Sequence, residues 1–126
     1  IDDLHFNLAV QLLNDKYGIQ VRGGCSCAGT YGHMLLDVDI NFSHNITDQI
    51  DEGDLSLKPG WIRMSIHPTM TDDEIHYIMN AIEDVAKNHK DIGADYTYNS
   101  QTNEFTYKDN SFSEINGERA KSWFEL

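Results

Sequence analysis

Residues 58–82 read KPGWIRMSIHPTMTDDEIHYIMNAI. Two periods follow one another in this stretch. In residues 61–66, WIRMSI, apolar Ile62, Met64 and Ile66 alternate with Trp61, Arg63 and Ser65, the two-residue period of a strand. His67-Pro68 stops it, because proline lacks an amide N–H and fixes its own φ. Thr71-Asp72-Asp73-Glu74 then has the form of a capping box, with Thr71 as N-cap and Glu74 three residues on, and Met70 and Ile75 placed as a hydrophobic staple. Behind it Ile75, Ile78, Met79, Ile82, Val85 and Ala86 recur at helical spacing, predicting a helix to about Asn88. A strand, a sharp stop and a capped amphipathic helix set the fold class.

The flanks agree with it. Residues 3–17 read as a helix with Leu4, Leu8, Leu12 and Leu13 on one face, Ala9 beside them and Gly18 at its end. Residues 19–22, IQVR, predict a short strand: Ile19 and Val21 face one way, Gln20 and Arg22 the other, and Gly23-Gly24 end it. Short helices are expected at 30–36 and near 45–52, with a turn at Lys58-Pro59-Gly60. Residues 95–108 read as a hairpin, with Tyr96 and Tyr98 in one arm, Phe105 and Tyr107 in the other, linked by Ser100–Asn103. The tail, 109–126, is polar with room for one short helix. The expectation is one α+β domain over residues 1–126, a small, mainly antiparallel sheet with helices packed on one face.

Composition excludes several classes. Twenty-one acids against nine bases give a net charge of −12 in 126 residues, the wrong sign for nucleic acid or an anionic membrane surface. No apolar run is long enough for a membrane span. The chain starts Ile1-Asp2-Asp3, without an initiator Met or signal-peptide pattern, and reads as cut from something longer, upstream of Ile1. Reduced cysteines and a cytoplasmic location are expected, since the two cysteines make no disulfide framework.

Those cysteines, Cys25 and Cys27, lie in GIQVRGGCSCAGTYGH, residues 18–33. A thiolate is a nucleophile and a soft metal ligand. Three readings follow: a dithiol redox pair, zinc ligands together with His33, or small residues packing a tight loop. The other histidines, His5, His44, His67, His76 and His89, are scattered, and His76 and His89 read as solvated positions off the apolar stripe of the long helix.

Arginine carries a sharper signal. The chain has three, Arg22, Arg63 and Arg119. If IQVR and WIRMSI share a sheet, both turn their aliphatics to the helices and Arg22 and Arg63 share the other face. The planar guanidinium grips carboxylate or phosphate through two parallel hydrogen bonds, so this pair is a candidate anion site. The competing reading is two surface arginines in salt bridges with the abundant carboxylates.

GIQVRGGCSCAGTYGHMLL and KPGWIRMSIHPTMTDDEIHYIMNAI together resemble the C-terminal small domain of class V aminotransferase-like enzymes, pyridoxal-phosphate proteins of fold type I that include cysteine desulfurases and selenocysteine lyases. The resemblance covers roughly residues 4–90 and leaves 91–126, the hairpin and tail, unplaced. It implies an enzyme acting on a small amino acid, a homodimer as the full-length protein, with pyridoxal phosphate and its Schiff-base lysine held by a large domain upstream of this chain. The isolated chain is then expected to be inactive. By position, Arg63 matches the arginine that binds the substrate α-carboxylate, Arg22 the arginine preceding the catalytic loop, and Cys27 the desulfurase nucleophile. A neighbouring arginine favours the thiolate of a thiol whose ordinary pKa is about 8.5. The pattern also departs: desulfurases of this type place histidines just before the cysteine and a proline soon after, whereas Cys25-Ser26 precede and Gly29-Thr30 follow here. A class V transaminase or epimerase without sulfur chemistry, and a C-x-C redox or metal-binding module, are the alternatives.

Overall fold

The computed structural model describes residues 3–24, 29–109, 117 and 121–122. Both cysteines, Arg119 and nearly all of the tail fall outside them, as do the side chains of Thr30 and His33.

The chain is α+β. In order it forms α1 (Phe6–Tyr17), β1 (Arg22–Gly24), α2 (Gly29–Leu35), α3 (Ile40–Asp51), β2 (Trp61–Arg63), α4 (Asp72–Ile92), a single 3-10 turn (Gly93–Asp95), β3 (Tyr96–Asn99) and β4 (Glu104–Tyr107). The strands make two separate antiparallel pairs, β1 with β2 and β3 with β4, rather than one sheet.

The core lies between α1 and α4. Ala9, Leu12 and Leu13 from α1 meet Ala81 and Val85 from α4, with Leu4, Leu8, Ile19, Val21 and Ile62 packed around them. The alanines let the helix axes approach, and Leu12 keeps no exposed surface. Gly18 ends α1 in the left-handed region at φ 65°, its N–H returning to the Asn14 carbonyl at 3.0 Å. Thr71 begins α4 with a complete capping box: its Oγ1 accepts from the Glu74 amide at 3.3 Å, and its amide donates to Glu74 Oε2 at 2.8 Å. The Thr71 amide and then its hydroxyl, both donating to Glu74 Oε2, hold the Glu74 carboxyl below its ordinary range.

Several sequence expectations shift. Ile19 and Val21 are half-buried on the core while Gln20 and Arg22 are exposed, yet the ladder itself is Arg22–Gly24. Gly23 and Gly24 belong to the strand. β2 stops at Arg63, so Ile66, expected on the buried face, is 64% exposed in the segment leading to the His67-Pro68 turn. α3 begins at Ile40, five residues before the expected helix, because the Asp39 carboxylate accepts the amides of Asn41 and Phe42 at 2.7 and 3.1 Å. α4 runs on to Ile92, and its buried line is Ala81, Val85 and His89. His89 is thus 8% exposed rather than solvated, with Nδ1 3.1 Å from the Ala86 carbonyl. Met79 and Ile82, assigned to the apolar stripe, are exposed.

The hairpin follows its reading closely. Tyr96 faces Tyr107 and Tyr98 faces Phe105 across β3–β4. The ring centroids are 5.3 and 4.7 Å apart, the cross-strand aromatic spacing that stabilises a pair by about 0.5–1.5 kcal/mol. Burial, followed by the hydrogen bond to Asp15, pushes the Tyr96 phenol well above its ordinary pKa. Asn103 closes the turn at φ 58°, a conformation asparagine tolerates, and its backbone oxygen accepts from the Asn7 side chain at the start of α1.

Candidate functional site: the arginine pair and the cleft beside it

The register of β1 and β2 places the arginines. Arg22 is opposite Arg63, Gly23 opposite Ile62 and Gly24 opposite Trp61. A Cβ on Gly23 would lie 2.9–3.0 Å from side-chain atoms of Phe6, Asn7 and Val10, so the Gly23–Ile62 face is the one turned to α1. Arg22, Gly24, Trp61 and Arg63 therefore share the other face. At the Trp61 end α2 leans on it, where a Cβ on Gly32 would come within 2.9 Å of the indole. The arginine end stays open, and both Arg22 and Arg63 are exposed.

Neither guanidinium makes an ion pair with a described carboxylate; the ion pairs among the described residues join Lys87 to Glu83 and Lys90 to Asp3. Like charges directly opposite on a strand pair repel, by a few tenths to about 1 kcal/mol. An anion between them removes that repulsion and offers each guanidinium its two-pronged partner. The salt-bridged reading of these arginines has no such partner among the described residues.

Beside the pair, on the open edge of β1, lies a cleft of about 930 Å³. α1, α3, the 55–59 segment and the hairpin turn line it, and it is open to solvent. The 55–59 segment is tied to that turn by the Leu55 amide, which donates to the Ser100 carbonyl at 2.9 Å. Val10, Ile46, Ile50, Leu55 and Phe105 supply apolar wall. Arg22 lines the cleft and Arg63 does not, so Arg22 stands at the boundary of the two features. Lys58 and Asn103 line it as well, and no sequence signal marked them: the cleft exists because α3 and the hairpin turn, far apart in the chain, meet α1.

Cys25 and Cys27 follow Gly24 in the sequence and lie outside the described residues, as does the side chain of His33, so the zinc set of Cys25, Cys27 and His33 lies outside them too. Among the described residues no three histidine, cysteine or acidic side chains cluster as metal ligands, and no helix is long and apolar enough to cross a membrane. The six lysines, Lys16, Lys58, Lys87, Lys90, Lys108 and Lys121, are all exposed. A lysine that forms a Schiff base is activated by desolvation or a cationic neighbour.

Comparison with protein-family models, with curated proteins and with solved structures finds no match to this chain.

Proposed function

We propose that this chain is the C-terminal small domain of a pyridoxal-phosphate-dependent, class V aminotransferase-like enzyme, and that it holds the carboxylate of an amino-acid substrate. The observation that carries this reading is the facing Arg22–Arg63 couple, which makes no ion pair among the described residues and whose Arg22 precedes the cysteines in the sequence. In it Arg63 anchors the α-carboxylate and Arg22 adds positive potential at the start of the loop that bears Cys27. Cys27 is the thiol that accepts sulfur when the substrate is cysteine, and Trp61, on the same face as Arg63, forms the apolar wall beside the anchor. The cofactor and its lysine belong to a large domain outside this chain, and a homodimer in the cytoplasm is part of the same reading. Without Cys27 as nucleophile the same carboxylate site serves a transaminase or epimerase.

The test uses the full-length protein with pyridoxal phosphate and a panel of amino acids. Arg63→Lys keeps the charge and loses the fork; it is expected to weaken substrate binding by about 1–3 kcal/mol, roughly a 5- to 150-fold rise in KM. Cys27→Ser is expected to abolish sulfide release from cysteine while Cys25→Ser keeps most of it. Unchanged kinetics in Arg63→Lys and Arg63→Ala remove Arg63 from the site. Full amino-acid turnover without sulfide in both serine variants selects the transaminase or epimerase.

A further inference from the structure

We propose that the cleft between α1, the open edge of β1, α3 and the hairpin turn binds a small amphipathic carboxylate, an aliphatic chain with one anionic end. This site adjoins the proposed amino-acid site and shares Arg22 with it. It needs no cofactor and does not use Arg63, which does not line it.

Size and lining set the class of ligand. A cleft of about 930 Å³ lies within the range of small-molecule pockets, roughly 300–1,000 Å³. Its walls are apolar side chains from separate elements: Val10 from α1, Ile46 and Ile50 from α3, Phe105 from β4. They suit an aliphatic body, which is driven from water at about 25 cal/mol per Å² of surface buried.

Charge sets the polarity of the head. Arg22 and Lys58 line the cleft, and Glu104 is the one carboxylate among its lining residues. No ion pair among the described residues engages any of these three. In a chain of net charge −12, a cleft with two cations to one anion is a local reversal of sign. Polar donors complete it. Asn103 is 8% exposed and lines the cleft; its Oδ1 accepts the Tyr98 hydroxyl at 2.8 Å, and its Nδ2 is the donor end of the amide. Among the described residues β1 pairs with a strand on one side only, and Gly23 and Gly24 line the cleft. A neutral apolar ligand would leave both cations and these donors without a partner. A short hydrophilic anion would leave the walls wet.

The experiment is a titration of the isotope-labelled protein with octanoate, followed by backbone amide shifts, with octanol and acetate as the neutral and chainless controls. Octanoate is expected to saturate with its shifts concentrated at Gln11, Thr47 and Asn103, and each control to bind at least about tenfold more weakly. Lys58→Glu, a change at an exposed side chain, is expected to weaken octanoate about tenfold or more. Thr47→Trp, which fills the mouth from the exposed face of α3, is expected to abolish binding. The proposal is overturned by octanol binding as well as octanoate, by acetate binding as well as octanoate, by shifts that map elsewhere, or by a Lys58→Glu titration that matches the parent.

Discussion

The α1–α4 layer and the α2–α3 segment are built from similar apolar residues and end in opposite states. Leu12, Leu13 and Val85 are 0–3% exposed. Met34, Leu35 and Ile40, from α2 and the start of α3, are 57–77% exposed, and Ile46 is the one buried residue of α3. Composition does not separate these regions; partners do. α1 and α4 offer each other alanines at facing positions, which lets two long helices close on a shared leucine–valine layer. α2 has seven residues and rests on Trp61 through Gly32, too small a contact to cover its own leucine and methionine. The first region supplies the folding free energy. The second leans on Trp61 at one end of the strand pair, and its exposed apolar side chains predict a low local stability.

The largest expected effect breaks the first region. Leu12→Ala removes a fully buried side chain and is expected to cost about 2–5 kcal/mol. Leu35→Ser, on α2, is expected to stay within about 0.5 kcal/mol. Urea unfolding of both variants measures the contrast, and comparable losses would show that α2 is part of the folding core.

An intermediate effect sharpens the contrast through the helix caps. Thr71 and Asp39 both accept amide hydrogen bonds, one at the start of α4 and the other of α3. Thr71→Ala is expected to lower global stability by about 1 kcal/mol. Asp39→Ala removes a similar interaction from a helix with little packing. It is expected to raise amide exchange within α3 roughly fivefold with little change in the global transition. The Glu74 half of the α4 cap is also pH-dependent. Its folded pKa is depressed, so its contribution is present above the ordinary carboxylate value and fades as pH falls through the lower one.

These contrasts explain what was legible in the sequence. α1, α4 and the hairpin announce themselves because the leucine spacing, the Thr71–Glu74 box and the alternating aromatics each act locally and agree with the packing. The strands were shifted because Gly23 reads as a break, whereas it is the residue that lets β1 lie against Phe6 and Val10. His89 was misplaced because the buried line of α4 passes through Ala81, whose small side chain gives little signal, and so includes the histidine four residues beyond Val85. That Arg22 and Arg63 share a face was legible from strand phase once the two strands are taken as one sheet; the register that sets them opposite each other comes from the structure. The cleft was not, since it is a property of segments far apart in the chain and no local pattern encodes it.

The smallest expected effect lies at the joint between α1 and the hairpin, and it is a pH effect. His5 is the N-cap of α1: its Nδ1 accepts the Asn7 amide at 3.1 Å. The ring stacks on Phe6 at 4.7 Å and touches Tyr98 and Phe105 at 5.3 Å, and its Nε2 is buried without a partner. Burial lowers its pKa from the ordinary 6.5, which is consistent with the acceptor role, because protonation would put a hydrogen on Nδ1 and remove the cap. A depressed folded value means that the unfolded chain binds the proton first as pH falls. The stability His5 contributes is therefore complete above about pH 6.5 and is lost as pH drops through the lower folded value. The loss is expected to be a few tenths to about 1 kcal/mol, the range of a single cap. His5→Asn keeps a side-chain acceptor at the cap and cannot titrate, so the difference in unfolding free energy between parent and variant should change between pH 7 and pH 5, with the variant gaining toward the acid side. Parallel stability curves across that interval would mean that the His5 ring does not change protonation when the chain unfolds, and the α1–hairpin joint would then rest on its aromatic contacts and the Asn7–Asn103 hydrogen bond alone.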